Sequence, residues 1–258
     1  MTGVKTAMRS HVGRVRQVNE DRVWVDHPGG GLTAAVVADG MGGHKAGEVA
    51  SELAVESLSR SLSAWRLPLA APECEAKLRE AVLNANAAVY ETASGNENYA
   101  NMGTTVVLAL LGDSEGLIGH IGDSRAYRMR DGELLQLTED HTLVNELAKS
   151  GQLSPEEAAR HPRRNVLTRA LGTDKEVEVD VRRIDWKPGD RLLLCSDGLS
   201  GLVEGDLIEG ALRERDGDLE QIADRLIALA LLAGGDDNVT VALIEYEAEA
   251  TGGEGGTA

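Results

Sequence analysis

Cysteine is scarce in this 258-residue chain: Cys74 and Cys195 are its only two, too few for a disulfide framework and suited to a reducing cytoplasm. Long apolar runs are missing too. The best of them, Leu226 to Ala233, is about eight residues, far short of the roughly 18 that a spanning helix requires. The opening residues, MTGVKTAMRSHVGRVRQ, carry positive charge without the apolar stretch of a secretory signal, so a cytoplasmic protein without membrane insertion is expected. Positive charge itself is in deficit. With 26 Lys and Arg against 43 Asp and Glu, the formal charge is −17, and a nucleic-acid backbone or an anionic membrane would meet a repulsive field. No repeat of fixed period is visible, and no Cys/His spacing of the zinc kind occurs.

What the chain does have is a set of apolar runs ending in turn residues: 32–40, 104–113, 116–124, 191–198 and 238–246. They are rich in Val, Ile, Leu and Thr and almost continuously apolar, which predicts strands buried on both faces. Helical spacing appears over about 46–65 (Val49, Leu53, Leu58, Leu62, Trp65), about 73–93 (Leu78, Val82, Ala85, Val89) and again from Asp218, where Gly234-Gly235 supplies a stop. Two helices in succession, then a run of strands, then a late helix and a last strand do not alternate as a doubly wound sheet would. The order predicts an α+β fold, with an antiparallel sheet or sandwich flanked by helices. Residues 139–173 interrupt the strands with a polar insertion containing a helix start, Ser154-Pro155-Glu156-Glu157, in a capping-box pattern. The tail 248–258 is Gly-rich and acidic and is expected to be disordered, leaving 1–247 as one domain.

Asp-Gly occurs four times, and the contexts differ. Asp131-Gly132 joins two alternating segments and reads as a hairpin turn, while Asp216-Gly217 lies in a charged run where Asp216 or Asp218 could cap a helix. Asp39 and Asp197 instead close long buried strands and precede small residues. Asp123 and Asp237 stand at strand ends as well, and so does Glu20 in RQVNEDRVWV. Sheets bring strand ends together, and five gathered carboxylates demand compensating charge. Oxygen ligands alone suit Mg²⁺ or Mn²⁺.

The motifs VRQVNED (15–21), VVADGMGGHKAGEVAS (36–51), MGTT (102–105), GHIGDSRAY (119–127), LTEDHTLVNEL (137–147), HPRRNVLTRALG (161–172), LLLCSDGLS (192–200) and GGDDNVTV (234–241) resemble, in order, those of the PP2C-type metal-dependent protein Ser/Thr phosphatases. The resemblance covers about residues 3–246 and is greatest to stand-alone bacterial members that oppose a PASTA-type Ser/Thr kinase. It implies an antiparallel β-sandwich flanked by helix pairs, with an inserted flap over 139–173 and a two-metal centre holding Mn²⁺ or Mg²⁺, plus a third, weaker ion. Carried over, Asp39 bridges two metals, the Gly40 carbonyl and Glu20 serve one of them, Asp197 and Asp237 hold the other, and Asp123 with Asp197 forms the third site. Arg16 matches the phosphate-binding arginine. The implied chemistry is in-line attack on phosphorus by a hydroxide that bridges the two metals, with no covalent intermediate. The cysteines agree, because a thiol phosphatase needs Arg six residues after its Cys, where this chain has Glu80 and Gly201.

One position departs from the eukaryotic members, which carry His directly after the Asp-Gly where this chain has Met41. His44 or a metal-bound water is left as the candidate proton donor to the leaving hydroxyl. His120, inside an apolar strand, is expected to be a satisfied core residue, and Cys195 a small buried hydrophobe. The expected partners are phosphoprotein substrates and a cognate Ser/Thr protein kinase, and the protein is expected to be a monomer. Two other readings compete: a hydrolase for small phosphate esters or for one specialised phosphoprotein, and a non-catalytic module that keeps the fold without metals.

Overall fold

The structure is a computed structural model in which residues 3–42, 46–66, 68–214 and 218–247 are described. Three strands open the chain, β1 (Val4–His11), β2 (Asp21–Gly29) and β3 (Leu32–Met41), followed by helices α1 (Ala46–Ser63) and α2 (Cys74–Gly95). Then come β4 (Gly103–Thr104), β5 (Val106–Leu111), β6 (Glu115–Ile121), β7 (Arg125–Arg130) and β8 (Glu133–Gln136). Two short helices, α3 (Leu143–Lys149) and α4 (Pro155–Arg160), fill the expected insertion. The chain ends with β9 (Asp180–Asp185), β10 (Arg191–Cys195), α5 (Asp197–Ser200), α6 (Gly205–Arg213), α7 (Leu219–Leu232) and β11 (Val239–Tyr246). One sheet runs β1-β11-β10-β7-β8 and the other β2-β3-β5-β6-β9, with β4 added on β3, and the pairings are antiparallel.

Strand periodicity explains why these segments read as continuously apolar. On β3, Ala34, Val36 and Ala38 pack under α1 and α2, while Ala35 and Val37 face the other sheet. On β10, Leu193 and Cys195 meet α5, α6 and α7, while Leu192 and Leu194 fill the space between sheets. Each inner strand therefore buries both faces, and the layers run helices, sheet, sheet, helices. The expected α+β sandwich is the observed one. Small residues on α1, Gly47, Ala50 and Ala54, bring that helix close to β3, and below them Leu58 and Leu62 are fully buried at about 2 kcal/mol each.

Caps behave as the sequence indicates. Ser154 and Glu157 form a reciprocal capping box at α4, and the Asp218 side chain accepts from the Glu220 N–H at the start of α7. Asp216 and the tail 248–258 lie outside the described residues. Beyond α7, Gly235 has φ +63° and donates its N–H to Ala230 O at 3.0 Å, a left-handed stop. Between β7 and β8, Asp131 (φ +51°) and Gly132 (φ +86°) make the tight hairpin turn with Arg130 opposite Glu133. Since only strain is added there, Gly132→Ala is expected to cost about 1 kcal/mol, or roughly 2–4 °C in melting temperature by calorimetry.

Candidate metal centre

Six carboxylates stand where strands end, the five expected from the sequence, among them Glu20 directly before β2, and Asp21. Asp39 lies on β3 with Asp21, the first residue of β2, directly across from it, and Asp197 opens α5 straight after β10. Asp123 follows β6, and Asp237 precedes β11. Main-chain contacts fix each position. The Asp39 N–H donates to Thr105 Oγ1 at 3.1 Å, and its carbonyl accepts from Thr105 N and Thr104 Oγ1, both at 2.9 Å. The MGTT motif is thus a clamp on the Asp39 backbone. Gly40 is a glycine because a Cβ there would stand 2.0 Å from the Gly47 carbonyl oxygen, and one on Gly47 would stand 2.6 Å from Glu20 Oε1. The α1 N-terminus, the end of β3 and Glu20 therefore meet at contact distance.

The acids feel one another. Asp39 is pushed well above the usual carboxylate range by burial and by the negative charges of Asp21, Asp197 and Asp123, and it shares a hydrogen bond with Asp197. Burial and Asp237 raise Asp197; burial, then Asp197 and Asp140, raise Asp123 to about 7. Asp39, Asp123, Asp197 and Asp237 all keep some contact with solvent. These groups are thus largely desolvated without being sealed from water.

Among the described residues, two keep a buried carboxylate oxygen without a well-formed hydrogen bond: Glu20 Oε1 and Asp21 Oδ1. Glu20, raised mainly by burial, rests against the first-turn amides of α1 at Glu48 and Gly47. Asp21 accepts from Ser196 Oγ at 2.8 Å through its other oxygen and is raised to about 7, chiefly by burial. Orphaned anionic oxygens beside acids that hold their protons are what a hard cation would satisfy, and the donors are oxygens throughout, so the residues fit Mg²⁺ or Mn²⁺. Among the described residues no three His, Cys, Asp or Glu side chains stand close enough together to hold a metal ion as they are placed. The acids meet pairwise instead: Asp39 with Asp197, and Asp237 with a cation of the chain itself, as Arg16 Nη2 donates to Asp237 Oδ2 at 2.8 Å.

Arg16 is half-exposed beside the acids. The loop carrying it is held by Asn238, whose Nδ2 donates to the Val12 and Val18 carbonyls at 2.9 Å each while Oδ1 accepts from Glu20 N at 2.7 Å. A cleft of about 630 Å³ opens from Asp123 and Asp197 between α3, α4 and α6, with Val144, Arg164 and Ile208 on its walls. A cavity of similar size at Trp65 and Gly112 contains none of the acids.

Of the residues singled out from sequence, Arg16, Glu20, Asp39, Asp123, Asp197 and Asp237 are linked in a chain of electrostatic contacts, and Gly40 adjoins them beside Glu20 and Gly47. His44 lies outside the described residues. Met41 turns its side chain toward Gly103, where a Cβ would meet Met41 Cε at 2.8 Å. The expectation for His120 needs correcting: it is buried, but among the described residues neither ring nitrogen has a well-formed hydrogen bond, only a weak interaction with the Ser124 backbone, and desolvation lowers its pKa to about 3. Its strand position predicted burial, and nothing local signals whether a ring will be satisfied. Cys195 is buried as expected, and burial pushes its thiol up to about 12. Sequence reasoning missed Asp21, Gly47 and Asn238. Asp21 adjoins Glu20 and Asn238 adjoins Asp237, so adjacency to a ligand was the available signal.

Comparison with known proteins gives consistent matches. A family model described as protein phosphatase 2C matches residues 9–231. A curated protein from Listeria welshimeri named serine/threonine phosphatase stp is 42% identical over 92% of this chain and 94% of its own length. The crystal structure of serine/threonine phosphatase Stp1 from Staphylococcus aureus superposes with a TM-score of 0.89 at 37% identity, over 95% of this chain and 96% of that one. The catalytic domain of serine threonine protein phosphatase PstP in complex with two manganese ions does so with a TM-score of 0.82 at 40% identity, over 95% and 98%.

Proposed function

We infer the role of each side chain from one premise: this chain belongs to the protein phosphatase 2C family. It is a metal-dependent protein serine/threonine phosphatase, a hydrolase that acts on phosphoproteins and uses Mn²⁺ or Mg²⁺. The assignment of residues is our reading. Asp39, Asp197 and Asp237 hold two core cations with help from Glu20 and the Gly40 carbonyl, Asp123 serves with Asp197 for a third, and Arg16 binds the phosphoryl group. The observation that supports it best is the gathering of strand-end acids whose charge the protein leaves uncompensated, with orphaned oxygens on Glu20 and Asp21.

When bound, the cations supply a water nucleophile near neutral pH and stabilise charge on the phosphoryl oxygens. The chain does the rest. Thr104 and Thr105 fix the Asp39 backbone, and Asn238 sets the Arg16 loop and Glu20 relative to Asp237. Arg16 offers a planar fork for two phosphate oxygens, and its tie to one exposed carboxylate is weak enough to give up. Arg16→Ala is expected to lower kcat/KM on a phosphothreonine peptide by about 100-fold, with Arg16→Lys recovering only part of it, because a point charge cannot replace the fork. Mn²⁺ affinity should hold or rise in Arg16→Ala, since Asp237 loses its competing partner. Steady-state kinetics with a Mn²⁺ titration checks both.

We place residues 1–247 in one phosphatase domain whose flap, 139–173, borders the cleft. The protein acts as a monomer in the cytoplasm and opposes a bacterial Ser/Thr kinase. The pair of free cysteines supports a reducing compartment. Among the described residues no helix is long and apolar enough to cross a membrane. Rates on a phosphothreonine peptide, a phosphotyrosine peptide and a small aryl phosphate test the reading: preference for the first supports it, and equal or faster aryl phosphate hydrolysis overturns the protein-substrate assignment.

A further inference from the structure

The turn that carries Asp123 is gripped at both ends by two consecutive residues of the flap root, Asp140 and His141. On one side, His141 and Gly122 exchange hydrogen bonds. The His141 N–H donates to Gly122 O at 2.8 Å, and the Gly122 N–H donates to His141 Nδ1 at 3.1 Å. Because Nδ1 accepts, the ring proton resides on Nε2, which faces Asp180 Oδ2 at 3.3 Å. On the other side, Arg125 Nε donates to Asp140 Oδ1 at 2.9 Å and Nη2 to Asp140 Oδ2 at 2.7 Å, a planar two-pronged pair, while Nη1 donates to Tyr127 Oη at 3.0 Å. Between them, Ser124 Oγ and Thr105 Oγ1 are 2.7 Å apart. Gly122 has φ +106°, and a Cβ there would stand 2.6 Å from Thr105 Cβ, so the turn has little freedom of its own. Every residue of the turn except Asp123 is pinned to a neighbour.

The grip belongs to the flap as much as to the sheet. Asn145 of α3 donates to the Asp140 carbonyl at 2.7 Å, and Thr168 N donates to the His141 carbonyl at 2.9 Å, so moving the flap moves the clasp. The Asp140 side chain is only 16% exposed, which makes the pair with Arg125 worth more than a surface ion pair. Arg125 also has two other carboxylates in its field, Asp123 and Asp197. Released from Asp140, its guanidinium would be drawn to them.

We propose that Asp140 and His141 are positioning residues: they hold the Asp123 carboxylate open for a divalent cation and keep Arg125 from taking that cation's place. The proposal rests on the reading of Asp123 as a ligand, and the test separates the two. Mn²⁺ binding is counted and ranked by electron paramagnetic resonance of free Mn²⁺ in chelator-treated wild type, Asp123→Asn, Asp140→Asn and the double variant Arg125→Met/Asp140→Asn, with melting temperatures recorded alongside. Asp123→Asn is expected to lack the weakest bound ion. Asp140→Asn should weaken that same ion about 10-fold and leave the tighter ones unchanged, as loss of a residue supporting a ligand does. The double variant should recover most of the lost affinity, because the competing cation is gone. His141→Ala should weaken the same ion without any change of charge at Arg125, and His141→Gln should restore it by supplying a new acceptor. Unchanged Mn²⁺ affinity in both Asp140→Asn and His141→Ala, or a double variant weaker than Asp140→Asn alone, would overturn the clasp. Retention of every ion by Asp123→Asn would overturn the ligand reading and the clasp with it.

Discussion

Asp39→Asn is expected to cut phosphopeptide turnover by about a thousandfold or more, equivalent to roughly 4 kcal/mol of transition-state stabilisation, and at the same time to raise the melting temperature of the cation-free protein. The two effects have one cause. Asp39 is surrounded by the charges of Asp21, Asp197 and Asp123 in a place where burial has already made ionisation costly. Without a cation that arrangement is a liability. Asn keeps the shape, leaves the main-chain bonds to Thr104 and Thr105 untouched, and offers an amide N–H to Asp197 where Asp39 must share a proton with it. Asn is spared the cost of either ionising in this field or holding a proton that the unfolded chain would release, which should stabilise the chelated protein by on the order of 1–3 kcal/mol, or about 5 °C. Scanning calorimetry in chelator and again in excess Mn²⁺ checks this: the variant should melt higher than wild type in chelator and gain little from Mn²⁺. Near-normal turnover, or a chelated variant melting below wild type, would sink the assignment of Asp39 to the metal pair.

The second large effect is a reversed pH dependence in the cation-free state. Asp21 and Asp123 titrate at about 7 in the folded protein, and Asp39 titrates well above its ordinary range, whereas unfolded carboxyls titrate near pH 4. Between those limits the native state binds more protons than the unfolded chain, so stability falls as pH rises through about 4 to 7 and has been lost by about pH 8. Below pH 4 these groups are neutral in both states and the penalty vanishes. Surface acids have the opposite sign. Asp185, held low by hydrogen bonds from Arg130, adds stability above about pH 4 that disappears as pH drops further. Chelated protein is therefore expected to be most stable near pH 4–5 and to melt on the order of 10 °C lower at pH 8, with Mn²⁺ restoring the loss. Melting temperatures across that range, with and without Mn²⁺, measure it; a chelated protein that gains stability from pH 5 to pH 8 contradicts the charge balance drawn for these acids.

Strand ends carried most of the information. Where an apolar run stops at Asp39, Asp123 or Asp197, the sequence already shows a carboxylate that must be compensated, and the turn at Asp131-Gly132 shows what the same dipeptide looks like without that burden. Fold layers followed from element order, since two adjacent helices and a row of strands leave few antiparallel arrangements. Other elements were hidden for physical reasons. The edge strand β9, DVRRID, carries four charged residues and two apolar ones, and nine-residue α6 begins at Gly205 with no side-chain cap. Residues whose role is to support another residue were hardest to see. Asn238 acts through carbonyls at Val12 and Val18, more than 200 positions away, and Asp21 matters because β2 pairs with β3 in a register that sets it opposite Asp39. Asp140 and His141 lie within the motif LTEDHTLVNEL, but their grip on the Asp123 turn exists only once the flap root folds back on β6 and β7. With Met41 turned toward Gly103, the residue after Asp-Gly offers no proton to the leaving hydroxyl.

The most direct test of the whole account is hydrolysis of a phosphothreonine peptide by protein stripped with chelator, dialysed, and then titrated with Mn²⁺. No phosphate release without added ion, and recovery of turnover as Mn²⁺ binds among the acids in the wild type but not in Asp39→Asn, is the predicted result. Full turnover in the presence of chelator would contradict it.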